Sequence, residues 1–207
     1  MTIIYLIRHA ENDYLGKEKL AGWLPGVHLN DRGVAQAEAL AERLAGIRVR
    51  AIYASPLERA LETAEPIARR QGLQVIRRPD LGEVRFGRWQ GQTLKTLRRR
   101  KLWPIVAHSP SLARFPDGES FHETQTRVVA ELEKLRGKHK RAKSTIICVS
   151  HSDTIKLAIA HYLGLPLDLF QRLTIEPASI SILFIHQGHT RLICLNDTQA
   201  SRLASQR

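Results

Sequence analysis

Three short apolar runs rich in β-branched residues constrain what this chain can fold into. They are Thr2-Ile3-Ile4-Tyr5-Leu6-Ile7, Ala51-Ile52-Tyr53-Ala54 and Thr145-Ile146-Ile147-Cys148-Val149-Ser150. Each has the composition and length of a buried strand. Between them lie segments of helical period. From Asn30 to about Gly46, Ala37, Leu40, Ala41 and Leu44 share one face; from about Glu119 to Gly137, Phe121, Thr124, Val128, Leu132 and Leu135 do. Strands alternating with helices predict an α/β fold, a three-layer α/β/α sandwich with a mostly parallel central sheet. Ligands of such sheets bind just outside the carboxyl ends of the strands.

What stands at those ends is informative. The first run stops at Arg8-His9, the second leads into Ser55-Pro56-Leu57-Glu58-Arg59, and the third stops at His151. One Arg-His pair after a strand reads as a solvated strand end. Three parallel strands would instead bring two imidazoles and two guanidiniums to one edge. Such a cluster repels itself unless a dianion sits within it, and a phosphoryl group is the obvious dianion. Pro56 suits the first turn of a helix. Arg59 then lies near a helix N-terminus, which already favours an anion.

Further elements are predicted with less definition: a short strand over 73–76, a loop over 79–92, an irregular stretch over 104–117, and a hairpin of 180–185 and 191–195 around Gln187-Gly188-His189. The 207 residues show no linker or repeat, so a single domain over 1–207 is expected, with 196–207 as a flexible tail. No apolar stretch approaches the roughly 20 residues that span a bilayer, and the first run is too short for a signal peptide. The expected location is the cytoplasm. Cys148 and Cys194 sit within apolar runs and read as small buried hydrophobes. No metal-ligand spacing, Walker loop or Gly-x-Gly-x-x-Gly is found, so neither a metal nor a cofactor is expected. The net charge of +12 admits two readings, a polyanion-binding surface or a solvated basic surface that draws in small anions. The second is preferred: the basic clusters, such as Arg98-Arg99-Arg100-Lys101, lack interleaved aromatics.

Four blocks together carry a resemblance. Arg8-His9-Ala10-Glu11, Ser55-Pro56-Leu57-Glu58-Arg59, Glu83-Val84-Arg85-Phe86-Gly87-Arg88-Trp89 and Val149-Ser150-His151 resemble, in order, the signatures of the histidine phosphatase superfamily, the phosphoglycerate mutase-like proteins. Gly118-Glu119-Ser120 and the segment from Ile155 to Asp168 are similar to a bacterial branch of phosphatases and phosphomutases. The resemblance implies His9 as nucleophile, Arg8 and Arg59 as phosphoryl clamps, His151 as a donor from the opposite side, and Glu83 as general acid and base. Spacing alone does not select Glu83 among the nearby acids. The substrate-binding set implied is Arg8, Arg59, His151, Glu11, Asn12 and Ser152. Ala10, Asn12, Leu15 and Ser152 depart from the common pattern, which puts substrate choice in doubt. Arg85, Trp89, Trp23, His28 and Lys156 could also reach substrate, though packing or solvent exposure is the simpler reading of each.

The function implied is a metal-independent phosphomonoester hydrolase acting through phospho-His9 on a small phosphorylated metabolite. A phosphomutase shares every catalytic residue and is the alternative. A non-catalytic polyanion- or RNA-binding protein is the second alternative. The partner expected is the small substrate, without membrane; nucleic acid is disfavoured and a homodimer is left open.

Overall fold

The computed structural model describes residues 1–139, 144–186 and 189–198. In chain order the elements are β1 (Thr2–Arg8), α1 (Asp13–Gly16), α2 (Asp31–Leu44), β2 (Ala51–Ala54), α3 (Glu58–Gln71) and β3 (Val75–Arg77). There follow α4 (Leu94–Leu97), α5 (Trp103–His108), α6 (Phe121–Lys138), β4 (Ser144–Ser150), α7 (Ser152–Leu163), β5 (Ile180–His186) and β6 (His189–Asp197). Six strands form one sheet in the order β3-β2-β4-β1-β5-β6. The pairings β3-β2, β2-β4 and β4-β1 are parallel, and β1-β5 and β5-β6 are antiparallel. The sheet is therefore mostly parallel, as the sequence predicts.

Alternation along the central strands builds two cores. Ile4, Leu6, Tyr53, Ile146 and Cys148 pack on one face with Val128 and Leu132 of α6 and Ile155 and Ile159 of α7. Ile7, Ile52, Ala54, Ile147 and Val149 pack on the other with Leu40 and Leu44 of α2 and Ala64 and Ile67 of α3. Helices thus cover both faces, giving the three layers. A third, aromatic cluster lies beside α7, where Phe86, Trp89, Phe115 and Phe121 meet Phe170.

Register fixes where the chemistry-bearing residues emerge. Arg8 stands opposite Ser150, and Ala54 opposite Val149. The ladder continues one step further, with His9 N–H donating to the Ser150 carbonyl and Ser55 N–H to the Val149 carbonyl, both at 2.9 Å. His9, Ser55 and His151 consequently leave the sheet side by side.

Several local expectations are corrected. Pro56 lies before α3, whose N-cap is Leu57, although Arg59 remains in the first helical turn. The short strand is displaced to Val75–Arg77, where the ladder to Ile52–Ala54 is available. The stretch 104–117 contains α5, in which Pro104 occupies the first turn and lacks only an N–H that would have had no helical partner. The 79–92 loop holds 3-10 turns at Pro79–Leu81 and Gly87–Trp89. Asn196 and Asp197 belong to β6; the side chain of Asn196 accepts from Glu176 N–H at 2.6 Å, so the ordered chain runs past the predicted start of the tail. Residues 199–207, the rest of that tail, and Gln187-Gly188 at the hairpin tip lie outside the described residues. Cys148 is fully buried, whereas Cys194, on the outer strand, is only partly so.

One glycine ties α2 to the loop after β1. A Cβ on Gly33 would lie 2.0 Å from the Glu11 carbonyl oxygen. That loop is further held by Glu11 N–H donating to Gln36 Oε1 at 2.9 Å and Asn30 N–H to the Glu11 carbonyl at 3.2 Å. Replacing a helical glycine by alanine ordinarily stabilises by up to about 1 kcal/mol. Here overpacking dominates, and Gly33→Ala is expected to destabilise by about 1–3 kcal/mol. Exposed Val34→Ala, its neighbour, should stay within about 0.5 kcal/mol of the parent. Urea unfolding of the two variants checks the contrast.

Candidate active site

The site gathers where β1, β2 and β4 end. His9 is 4% exposed and His151 is fully buried, with ring centroids 5.1 Å apart. The Nδ1–H of His9 donates to the Ala10 carbonyl at 2.8 Å, which leaves the Nε2 lone pair facing the guanidinium of Arg59. Arg59 is 1% exposed, an extreme burial for a cation. Its Nε–H donates to His9 Nε2 at 3.3 Å; Nη2 donates to the Gly22 carbonyl at 2.8 Å and to His151 Nδ1 at 3.2 Å. With Nδ1 accepting, His151 carries its proton on Nε2 and donates it to Ser55 Oγ at 2.8 Å. His151 is the N-cap residue of α7, yet its side chain makes no capping bond. The ring serves the site instead.

Two buried guanidinium nitrogens, Arg8 Nε and Arg59 Nη1, have no acceptor among the described residues. Such donors are expensive to bury unpaired. Arg8 is otherwise held by Nη1 donating to the Ile175 carbonyl at 2.6 Å. Burial first, then Arg59 and Arg8, hold the His9 imidazole well below its ordinary value. Burial and Arg59 do the same to His151. Both rings are therefore neutral, and the positive charge resides on the two arginines.

Glu83 reaches the same cavity from the loop after β3. Its carboxylate accepts from Val84 N–H at 3.0 Å and from Thr154 Oγ at 3.2 Å. Burial, and secondarily the carboxylate of Asp153, push it up to about 7, against the opposing pull of Arg59 and Arg8. The backbone beneath is clamped. Arg127 donates to the carbonyls of Asp80, Gly82 and Glu83 and pairs with Glu119, while the Trp23 indole donates to the Glu83 carbonyl.

The cavity, about 370 Å³, is lined by Arg8, His9, Asn12, Arg59, Glu83 and Ser152 among others. His151 meets it through Arg59 and the face of His9. Asn12 is buried and caps α1, accepting from Leu15 N–H. Ser152 Oγ donates to the Ile175 carbonyl at 3.4 Å. Glu11 is a correction: it lines a separate cavity and pairs with Arg32 at 3.2 Å. Of the five less certain candidates, Trp89 lines the cavity. Arg85 instead stacks over Trp23 at 4.0 Å, His28 pairs with Glu62, and Lys156 lies 3.5 Å from Asp153. Sequence reasoning passed over Ser55, Thr63, Gly22, Asp153 and Thr154. Thr63 Oγ accepts from Ala10 N–H at 3.0 Å and donates to the Arg59 carbonyl at 2.7 Å, locking nucleophile loop to helix. The Ser-Pro-Leu-Glu-Arg block and the residues after His151 were the available signals. Among the described residues no group of three or more His, Cys, Asp or Glu is placed to hold a metal, and no helix is long and apolar enough to cross a membrane.

Comparison with known proteins sets the chain beside phosphatases and a mutase. The chain is 29% identical over 203 residues to phosphoserine phosphatase 1 of Hydrogenobacter thermophilus, covering 96% of this chain and 93% of that protein. It is 28% identical over 188 residues to the 2,3-bisphosphoglycerate-dependent phosphoglycerate mutase of Thermoplasma acidophilum, covering 91% and 90%. The solved phosphoserine phosphatase of Entamoeba histolytica, in complex with 3-phosphoglyceric acid, superposes with a TM-score of 0.87 at 28% identity over 96% of this chain and 98% of that one. With residues 4–198 matching its model, the chain belongs to the histidine phosphatase superfamily, branch 1.

Proposed function

We propose that the protein is a metal-independent phosphomonoester hydrolase working through phospho-His9. The observation that carries this reading is the pair of buried arginine nitrogens without acceptors beside a neutral imidazole. A phosphoryl dianion supplies acceptors for both and cancels the buried charge. As its oxygens draw the Arg59 donors toward themselves, the Nε2 lone pair of His9 is released for attack on phosphorus. The P–O ester bond breaks as the N–P bond forms, and Glu83 gives its proton to the departing alcohol oxygen. Arg8 and Arg59 hold the charge on the equatorial oxygens, with Arg59 oriented by His151 Nδ1. Glu83, now a carboxylate, takes a proton from water, whose oxygen attacks phosphorus. The N–P bond breaks and neutral His9 is restored. A mutase would return the phosphoryl group to a substrate hydroxyl instead of to water. The named relatives include both activities.

Phosphate release from a panel of phosphomonoesters tests the reading directly. His9→Ala is expected to abolish turnover, and a rapid quench that avoids acid should trap labelled phosphate on His9 of the parent enzyme. Label on a serine, or transfer to a second substrate hydroxyl in place of water, would count against it.

Activity is also expected to survive exhaustive chelation, since Arg8 and Arg59 already neutralise the phosphoryl group. Loss with chelator and recovery with a divalent ion would reverse that expectation.

Glu83 sets the pH dependence. It must be protonated to act as the acid, so kcat/KM for an alkyl ester should fall as pH rises through about 7. The acid limb from His9 should lie well under 6.5, once the substrate's own second ionisation near 6 is allowed for. Asp153→Asn removes the neighbouring negative charge and should move the basic limb to lower pH. Glu83→Gln should slow single-turnover phosphorylation by about 10²–10⁴-fold with an alkyl ester and far less with a nitrophenyl ester, whose leaving group hardly needs a proton. Equal losses would assign the acid to another group.

A further inference from the structure

Past the arginines the cavity continues into a chamber that the chemistry does not use. Its walls are largely aromatic and aliphatic, formed by Leu20, Phe86, Trp89, Leu94, Trp103 and Phe115. Trp89 and Trp103 stack with centroids 6.2 Å apart and 16° between their planes. Phe86 meets Phe115 edge-on at 4.9 Å. Leu20, Leu94 and Trp103 are only partly buried, so the chamber presents apolar surface that the fold leaves uncovered. At about 370 Å³ the whole cavity falls within the range of about 300–1,000 Å³ that encloses small organic molecules.

The charged residues lining it outside the phosphoryl cradle are Glu18, Lys19 and Asp153. The Lys19 ammonium lies 5.9 Å from the centre of the Tyr14 ring, and Asp153 is paired with Lys156. With Asp153 held by Lys156, Glu18 and Lys19 remain, one charge of each sign. A substrate bearing its own carboxylate would bury it against hydrocarbon or beside like charge, which is unfavourable.

We propose that the alcohol half of the substrate is a bulky apolar group, aryl or branched alkyl, seated in this chamber with its phosphoryl group on His9. The inference rests on the hydrolase reading and narrows it: amino-acid and hydroxy-acid phosphates are then poor substrates. An apolar pocket discriminates by about 10–200-fold for a single methylene.

The test compares 2-phenylethyl phosphate with ethyl phosphate, two primary alkyl esters whose leaving groups demand the same acid catalysis, and adds O-phospho-L-serine and 3-phosphoglycerate. The phenylethyl ester is expected to exceed the ethyl ester in kcat/KM by on the order of 100-fold, and to exceed both polar esters. A ratio within about threefold of one, or preference for either polar ester, overturns the proposal and leaves the hydrolase reading intact. Trp103→Ser should collapse the phenylethyl-to-ethyl ratio; a ratio that survives it counts against the chamber. Calorimetric binding of 2-phenylethylphosphonate against ethylphosphonate needs no variant. Tighter phenylethylphosphonate binding with no hydrolysis of any ester supports the chamber and defeats the hydrolase reading. Equal binding of the two phosphonates defeats the chamber.

Discussion

The buried guanidinium of Arg59 is the interaction on which the rest of the site depends. It touches His9, His151 and the Gly22 carbonyl at once, so a single side chain ties the ends of β1 and β4 to the loop that closes over them. A cation at 1% exposure, in a helical first turn that itself disfavours positive charge, is tolerable only because it has acceptors on one side and donors left for an anion on the other. Gly22 adopts φ +55°, and a Cβ there would collide with Gln90, so the carbonyl that receives Arg59 is fixed by a backbone that other residues fit poorly. The same burial keeps both imidazoles neutral, which is the form a nucleophile needs.

Around that centre the structure separates rigid from tunable parts. His9 and Ser55 continue the ladder of a central sheet packed on both faces, and His151 follows directly on β4. Glu83 comes instead from a loop, and its precision is borrowed from α6 through Arg127 and from α7 through Thr154. A carboxyl group whose position and proton affinity are set by neighbouring helices can change in strength without disturbing Arg8, His9 or Arg59.

The fold was legible where one local signal sufficed. The runs at 2–7, 51–54 and 145–150 and the helical periods after them define the parallel half of the sheet, and His9, His151 and Arg59 follow from what ends each run. Pro56 and Pro104 misled in opposite directions, because proline is compatible with a first turn but does not require one. Glu11 could not be placed, since neighbours along extended backbone point to opposite sides and composition does not reveal which of them meets the cavity. Glu83 was placed by resemblance, its neighbour Asp153 not at all. The aromatic chamber was illegible for a physical reason. Residues 20, 89, 94 and 103 have no common period, and from sequence a wall of a cavity looks like any other part of a core.

The acceptor-free nitrogens of Arg8 and Arg59 make the native state a partner in ligand linkage. A dianion that binds only the folded chain raises its unfolding free energy by RT ln(1 + [L]/Kd), about 2.7 kcal/mol at a hundredfold excess over Kd. Inorganic phosphate has the charge and the oxygens to do this. It would then act on the protein twice, as a competitor at the cradle and as a conformational stabiliser that relieves the self-repulsion of two enclosed cations. A preparation stripped of phosphate would then be less robust than one that holds it, and a melting point would belong to the buffer as much as to the sequence.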